Sequence, residues 1–377
     1  MNYYKLIYVS DNMMVHKSQE FFAGCSLHKS WLQVALFSFL FMGLGGPPGV
    51  LADGWVAVGT NGTILNSQDG LTWTEATSPT TETLRGLGFD GNGTWVASGQ
   101  SGTVISSSNG QNWTVQPSGN TDALWGTVFE GGQWIVTGGQ GRIITSPDGA
   151  VWTSVNGRFG FTLYDIAYDE TTLYSIAGDA GFASTVLTSF DAVTWTQEPP
   201  TPNNGEGLYG AAYGEGNWVA VGDKGTILTG SDPTSRAWVE QASGTDIDLR
   251  DIVYNGNGLF IVVGRDGIIL TSSDAATWTQ RTSGTVFDLW GVAYDGSGQY
   301  IIVGDEGVIL SSSDGFNWIA AKSPTFRWLY DVASGRMTGP PQPPLGPVSV
   351  PAAGWPYYLG LISLIASLAI FGLRQGR

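Results

Sequence analysis

The chain is poor in the residues that carry nucleophilic and metal-binding chemistry. It contains one cysteine, Cys25, and two histidines, His16 and His28, all within the first 30 of its 377 residues. A mature protein that lacks this segment has no Cys and no His. This excludes Ser-His-Asp and Cys-His nucleophilic sites, thiol redox chemistry and the usual His/Cys zinc site. We therefore predict no enzyme activity, no catalytic residues, no metal and no cofactor.

Residues 1–52 are predicted to be a signal peptide. An apolar run from Trp31 to Leu44 is followed by Val50-Leu51-Ala52, which has the small-residue pattern of a cleavage site. The mature chain would then begin at Asp53. A lipoprotein-like stretch ends at Cys25, but the apolar run follows this cysteine instead of preceding it, which argues against lipidation there.

The other end has the layout of a membrane tail. Residues 339–354 form a Pro-rich linker, 355–373 are nearly all apolar and long enough to span a bilayer, and 374–377 form a basic end. The positive-inside tendency places this basic end in the cytoplasm and the preceding domain outside. The tail resembles the PEP-CTERM class of bacterial sorting tails, and a plain C-terminal anchor is the alternative. Both imply an exported protein at the periplasmic or cell-surface side, anchored through this helix unless it is processed.

A repeat ending in tryptophan fills the middle of the chain, and it predicts the fold. Seven copies of Ser-x-Asp-x-x-x-Trp or a close variant recur every 39–43 residues. This period is that of one four-stranded propeller blade. The 55 glycines and the low charged fraction of 13 % are typical of short strands and tight turns. We predict an all-β, seven-bladed β-propeller over residues 53–338.

The turn before each tryptophan carries an acid or amide that can accept hydrogen bonds from nearby backbone N–H groups. The fifth copy has an extra residue and Pro233, so a less regular turn is expected there. These repeats resemble the Asp-box, or BNR, repeat of sialidases and related propellers, which implies a structural turn on the face away from the ligand. The residues with this structural role are Asp69, Asn109, Asp148, Asp191, Asp274 and Asp314.

The order of strands in the first and last repeats predicts how the propeller closes. The mature chain opens with Trp55-Val56-Ala57-Val58, which is the second strand of a repeat. The missing first strand appears only at 329–333. We therefore expect the C-terminal strand to complete the first blade, which removes two exposed sheet edges.

A candidate binding ring lies at the start of each first strand, on the face opposite the Asp turns. The position after the leading leucine is aromatic or arginine in every repeat, and these residue types are enriched in binding hot spots. Packing between blades near the channel is the alternative interpretation. The seven residues are Arg85, Trp125, Tyr164, Tyr209, Arg250, Trp290 and Tyr330.

Acidic turns on the same face offer a second candidate feature. The turns between second and third strands read Gly-x-x-Gly in every repeat, and four carry an aspartate: Asp179, Asp223, Asp266 and Asp305. Either these carboxylates bind a cation, or they are compatible with a tight turn and have no binding role.

Charge limits the choice of partner. Without the leader and the two terminal arginines, the domain has 11 basic and 30 acidic residues, a net charge of −19. Nucleic acid is excluded because its phosphates would be repelled. Solubility explains such acidity, and cations or a basic protein are the alternatives.

The consensus sequence of the repeat has Leu-x-x-Val-x-Tyr and Val-Gly-x-x-Gly-x-Ile before the Asp turn. It resembles that of the photosystem II stability/assembly factor family. That resemblance implies a monomeric, non-enzymatic propeller that binds a protein partner. The basic arginine patch of that family is replaced here by an acidic domain. The alternatives are a surface glycan-binding protein with a polysaccharide ligand and a sialidase-like glycoside hydrolase, although the Arg-Ile-Pro motif of sialidases is absent.

Overall fold

A computed structural model describes residues 52–155, 159–169, 174–179, 184–198, 206–234 and 237–337. The predicted signal peptide, apart from Ala52, lies outside these ranges. So do the predicted linker at 339–354, the apolar segment at 355–373 and the basic end at 374–377. In the described ranges, we find no helix with the length and apolar character needed to cross a membrane.

The described chain consists of short β-strands connected by tight turns. The strands are β1 (Ala52–Gly59), β2 (Ile64–Ser67), β3 (Thr74–Glu75), β4 (Leu84–Phe89), β5 (Trp95–Gly99), β6 (Val104–Ser107), β7 (Thr114–Gln116), β8 (Leu124–Glu130), β9 (Gln133–Gly138), β10 (Ile143–Ser146), β11 (Thr153–Ser154), β12 (Thr162–Tyr168), β13 (Tyr174–Asp179), β14 (Ser184–Ser189), β15 (Thr196–Gln197), β16 (Leu208–Gly214), β17 (Asn217–Gly222), β18 (Ile227–Gly230), β19 (Val239–Gln241), β20 (Leu249–Tyr254), β21 (Phe260–Gly264), β22 (Ile269–Ser272), β23 (Thr279–Arg281), β24 (Leu289–Tyr294), β25 (Tyr300–Gly304), β26 (Ile309–Ser312), β27 (Ile319–Ala320) and β28 (Leu329–Met337). Single 3-10 turns follow six of the second strands, at Thr60–Gly62, Gln100–Gly102, Gly139–Gly141, Asp223–Gly225, Arg265–Gly267 and Asp305–Gly307.

These strands form seven antiparallel four-stranded sheets, which we number as blades in chain order. Blade 1 contains β28, β1, β2 and β3, and blades 2 to 7 each contain four consecutive strands from β4 to β27. The predicted fold class, a seven-bladed propeller, is confirmed.

The closure of the ring is confirmed as well. Strand β28 pairs antiparallel with β1, with Trp55 opposite Ser334 and Ala57 opposite Val332. The last strand of the propeller therefore serves as the first strand of the first blade. Strand β1 is therefore paired on both edges, with β28 on one side and β2 on the other.

The core lies between blades, because the inner strands of each blade are covered on both faces by the two neighbouring blades. On β1, the consecutive residues Trp55, Val56, Ala57 and Val58 are all buried. Trp55 and Ala57 pack in one cluster with residues of blade 7, including Ile301, whereas Val56 and Val58 pack in another with blade 2. This two-sided burial explains the continuous apolar runs in the second strands.

The Asp turns form a repeated hydrogen-bonded unit on one face of the propeller. Asp69 Oδ1 accepts hydrogen bonds from the backbone N–H groups of Leu71 at 2.8 Å and Thr72 at 2.7 Å. Trp73 Nε1 donates to the carbonyl of Gly70 at 3.2 Å. The side chain at the Asp position accepts the same two backbone hydrogen bonds in the copies at Asn109, Asp148, Asp191, Asp274 and Asp314.

The fifth copy differs, as its extra residue predicted. Asp232 Oδ1 accepts from the backbone N–H of Thr234 at 2.9 Å, and Gly230 stands in the place of the usual serine. Residues 235–236 of this turn lie outside the described ranges.

Candidate functional site

The seven residues of the predicted ring lie together at one end of the central channel. They line a single cavity of about 560 Å³, together with residues of the first strands below them and Trp328 above. We call these seven residues the channel ring: Arg85, Trp125, Tyr164, Tyr209, Arg250, Trp290 and Tyr330.

A β-bulge in each first strand explains why these side chains point into the channel. The leucine before each ring residue is fully buried and holds the strand in its blade. In blade 2, Leu84 lies opposite Gly99 and Gly86 lies opposite Ser98, which leaves Arg85 as the extra residue of the bulge. The same register shift brackets the ring residue in five other blades, and in blade 3 the irregularity spans Trp125 together with Gly126. A bulge reorients a side chain without ending the sheet, so the repeat places one ring residue per blade.

The ring side chains contact each other in an unbroken circle. Trp125, Tyr164 and Tyr209 meet edge to face with centroid separations of 5.0 Å. Trp290 and Tyr330 meet at 5.4 Å. These contacts fit the packing interpretation of the sequence, while the shared cavity fits the binding interpretation, because the same side chains make both.

The two arginines complete the circle through cation–π contacts. The Arg85 guanidinium lies 4.0 Å from the centroid of Trp125 and 4.6 Å from that of Tyr330. Arg250 bridges Tyr209 at 4.5 Å and Trp290 at 5.1 Å. Cations prefer the electron-rich faces of aromatic rings, and the preference strengthens as water is removed.

The two arginines differ in how their charge is compensated. Arg250 forms an ion pair with Asp248 at 3.2 Å. Arg85 forms no ion pair with any residue of the described ranges, and the Nε atoms of both arginines have no hydrogen-bond partner there. Burial lowers the pKa of Arg85 from its usual value, although arginine remains protonated near neutral pH. Within the described ranges, Arg85 is therefore a partly desolvated cation that its aromatic neighbours Trp125 and Tyr330 stabilise.

Two of the four acidic turns support ring residues. Asp305 Oδ1 accepts a hydrogen bond from Trp290 Nε1 at 2.6 Å. Two effects raise the pKa of the Tyr209 hydroxyl: burial is the larger, and a hydrogen bond to Asp223 is the second. Asp266 lies in an exposed turn, and the side chain of Asp179 lies outside what the structure describes. Within the described ranges, no three His, Cys, Asp or Glu side chains are arranged to hold a metal ion.

Three aspartates below the channel ring were not singled out from the sequence, and each joins two blades. The carboxylate of Asp165 accepts from the backbone N–H of Ala211 at 2.9 Å, that of Asp251 from Val292 at 2.8 Å, and that of Asp331 from Leu87 at 2.7 Å. In each pair the acceptor belongs to one blade and the donor to the next. The second oxygen of each carboxylate accepts from the next residue of its own strand at 2.7 Å.

The alternation of glycine and aspartate at this position could have revealed these residues. The residue after the ring position is glycine in four blades and aspartate in three. Because seven is odd, the alternation must fail once, and Gly86 and Gly126 are neighbours at that point. Between these two blades, a hydrogen bond between two hydroxyls takes the place of the aspartate contact: Ser98 Oγ and Thr127 Oγ1 are 2.7 Å apart.

The position of these aspartates in the channel wall changes their acidity. Burial raises the pKa of Asp165 to about 6 and that of Asp331 to about 7, against the lowering effect of the backbone hydrogen bonds. Burial also raises the pKa of Asp251 well above its usual value, and the negative charges of the other two aspartates add to the effect. The raised pKa values mean that these carboxyls remain partly protonated in a pH range where an ordinary aspartate is ionised.

Comparison with known proteins gives a structural likeness only. No protein-family model matches the sequence, and no curated protein matches it. Among solved structures, "YCF48 bound to D1 peptide" matches with a TM-score of 0.56 and 20 % identity, covering 68 % of this chain and 88 % of the other. "YCF48 from Cyanidioschyzon merolae" matches with a TM-score of 0.54 and 13 % identity, covering 70 % of this chain and 98 % of the other. At these identities the likeness shows the propeller fold.

Proposed function

We propose that this protein is a non-enzymatic scaffold that binds a segment of a partner protein at the channel ring. The observation that carries the proposal is the cavity lined by all seven ring residues. Aromatic and arginine side chains contribute most to protein-binding hot spots, and a cavity of this size accommodates several side chains of a peptide.

Two lines of support come from similar proteins. The consensus sequence of the repeat resembles that of the photosystem II assembly factor family. One solved propeller of similar fold, YCF48, is bound to a D1 peptide. We extend from that protein to this one only the mode of binding, in which a propeller holds a peptide segment. The partner here is expected to differ, because this domain is strongly acidic.

The composition of the cavity argues against the hydrolase alternative. Sialidases clamp their substrate carboxylate with three arginines. Among the described residues, two arginines line the cavity, Arg85 and Arg250, and Arg250 is already paired with Asp248. The turns with Asp69 and its equivalents fit the Asp-box repeat as a structural unit, so likeness to that repeat does not require hydrolysis.

We also propose that the protein is exported and held at the membrane by residues 355–373, either as a PEP-CTERM-like tail or as a plain anchor. The last described residue, Met337, pairs with Ala52 and contacts Gln68 next to an Asp turn. A tether that continues from this point leaves the channel ring on the far face of the propeller, accessible to a partner.

The proposal is tested by substituting Trp125 and Trp290 with alanine in the full chain. Crosslinking and mass spectrometry in envelope extracts should identify a protein that is captured by the wild type and lost from both variants. Phe190→Thr is the matched control, because this exposed aromatic lies beside an Asp turn on the opposite face. Unfolding midpoints of all variants separate loss of binding from loss of fold.

Three results would contradict the proposal. The first is equal capture by the wild type and both tryptophan variants. The second is ring-dependent binding of a glycan on an array with no captured protein, which favours the polysaccharide alternative. The third is turnover of a fluorogenic sialoside, which would establish the hydrolase.

A further inference from the structure

Four large apolar side chains are exposed on the rim of the propeller beside the channel ring. Each blade has a lead-in loop, which we define as the residues directly before the leucine of its first strand. In blade 7 this loop exposes Val286 by 80 % and Phe287 by 44 %, and in blade 1 it exposes Phe326 by 84 % and Trp328 by 42 %. We call these four residues the apolar strip.

The fold does not require apolar residues in the strip. The lead-in loops of blades 2, 6, 7 and 1 share one hydrogen bond, in which a threonine hydroxyl accepts from the backbone N–H two residues later at 3.1 Å. The position after that threonine is exposed in all four loops. It is Thr81 in blade 2 and Asp246 in blade 6, but Val286 in blade 7 and Phe326 in blade 1. Since polar residues serve the same loop elsewhere, the apolar ones need another explanation.

Acidic side chains flank the strip. Gly267 and Gly307 approach the carbonyls of Thr285 and Thr325 so closely that a Cβ would clash, which places the preceding residues, Asp266 and Glu306, beside the strip loops. Both carboxylates are exposed, and neither takes part in an ion pair with the described residues.

The cations of this region are already compensated. Arg265 forms ion pairs with Asp248 at 3.4 Å and Asp288 at 3.2 Å. Arg327, between the two aromatics of blade 1, forms an ion pair with Glu75 at 2.9 Å. The surroundings of the strip are therefore apolar at the centre and negative at the edge.

We propose that the apolar strip docks a positively charged segment of a partner protein that carries large apolar side chains. This inference rests on the proposed function and specifies the chemistry of the partner. The apolar side chains of the partner cover the strip, and its lysines or arginines face Asp266 and Glu306. Trp328 belongs both to the strip and to the cavity wall, so one continuous segment spans the strip and the channel ring.

Charge separates this occupant from the alternatives. A second copy would bring another strongly acidic domain against this face, and anionic lipid would also be repelled. A basic segment gains from the same field, which increases its association rate at low salt.

The test is a selection of random 12-residue peptides displayed on phage against the full chain, followed by binding of the enriched synthetic peptides. Two variants use residues that the chain itself has at equivalent positions: the double variant Val286→Thr/Phe326→Thr replaces the two most exposed residues of the strip without changing its charge, and Glu306→Gln removes one charge, as in the turn with Gln140. Phe190→Thr is again the control.

We expect enriched peptides to combine Lys or Arg with Phe, Leu or Trp. They should bind the strip variant at least about tenfold more weakly, the size of a single hot-spot loss, and bind Phe190→Thr unchanged.

Further measurements complete the test. Binding should weaken as salt rises and on Glu306→Gln. The inference is overturned if enriched peptides are acidic or uncharged, if none is enriched, or if the strip variant binds as the wild type does. Strip-dependent dimerisation in sedimentation, or strip-dependent binding to phosphatidylglycerol vesicles without peptide binding, also overturns it. Peptides that no longer bind Trp125→Ala but still bind the strip variant would support the proposed function and rule out only the strip as part of the binding site.

Discussion

The carboxylate of Asp251 accepts a hydrogen bond from the backbone N–H of Val292 in the next blade at 2.8 Å. Among the described strands, none of one blade pairs with a strand of another, so this contact is a directional link in an interface made otherwise mainly of apolar packing. Equivalent links from Asp165 and Asp331 tie two further pairs of blades. The wall of the cavity is thus held by polar contacts directly below the channel ring.

Removing one of these links should destabilise the propeller. Asp251→Ala leaves the backbone N–H groups of Ile252 and Val292 without their acceptor. An unsatisfied buried donor costs about 1–3 kcal/mol of unfolding free energy, so a clear loss is expected in urea denaturation. Asp251→Asn keeps one carbonyl oxygen and should lose less. Equal stability of the alanine variant and the wild type would show that the link contributes nothing.

The raised pKa of Asp331 predicts a pH dependence of stability. Its pKa is about 7 in the folded protein against an ordinary value of 3.8, so the folded state binds more protons between about pH 4 and 7. Unfolding free energy should therefore fall as pH rises through this window, by up to about 1.4 kcal/mol per pH unit for one group. Asp165, with a pKa of about 6, acts in the same direction.

Asp331→Asn tests this pH dependence. The asparagine does not titrate, so its profile of unfolding free energy between pH 4.5 and 8 should be flatter than that of the wild type. The Asp turns do not interfere, because hydrogen bonds lower the pKa of Asp191 and Asp274 to about 2, below this range. A wild-type stability that rises with pH, or two parallel profiles, would contradict the assignment.

The glycines at the alternate positions should not tolerate a side chain. A Cβ on Gly291 would lie 2.8 Å from the carbonyl oxygen of Tyr330 and 3.0 Å from Cα of Asp331 in the next blade. Gly291→Ala should cost about 1–3 kcal/mol, as is usual for overpacking. A glycine with open space, such as Gly256, is unsuitable as a control because its φ is positive, so Thr81→Ala serves instead. An unchanged denaturation midpoint for Gly291→Ala would show that the blades can separate here without cost.

The Asp turns offer a test with a control that the chain supplies. Asp314 Oδ1 accepts from the backbone N–H groups of Phe316 and Asn317, both at 2.8 Å, and Asn109 does the same with its amide oxygen at 3.0 and 2.9 Å. Asp314→Ala should therefore lower the thermal midpoint by several degrees, whereas Asp314→Asn should retain most of it. Hydrogen bonds to the backbone lower the pKa of Asp314, so the stability advantage of the wild type over both variants should shrink in strong acid, where this carboxylate becomes protonated. A loss as large for asparagine as for alanine would contradict this account.

The sequence predicted the blades, the closure and the ring position because each depends on spacing within one repeat. Trp73 and its equivalents identify the period, and the leucine before Arg85 identifies the ring position. The contacts of Arg85 with Trp125 and Tyr330 could not be predicted, since they depend on the distance between blades. The same holds for Asp331 and Leu87, whose hydrogen bond joins residues 244 positions apart. The Gly/Asp alternation was visible, but its partners become evident only when neighbouring blades are placed side by side.

Deleting residues 326–334 should abolish most of the stability of the propeller. This deletion removes most of β28, including the buried Leu329 and Val332, and leaves β1 without its neighbour. It also removes Asp331, so the link to blade 2 is lost together with the sheet edge. A deletion of equal length at 339–347, outside the described propeller, is the matched control and should keep the midpoint in thermal and urea denaturation. If the first deletion also kept the wild-type midpoint, the pairing of β28 with β1 would not be what closes the propeller.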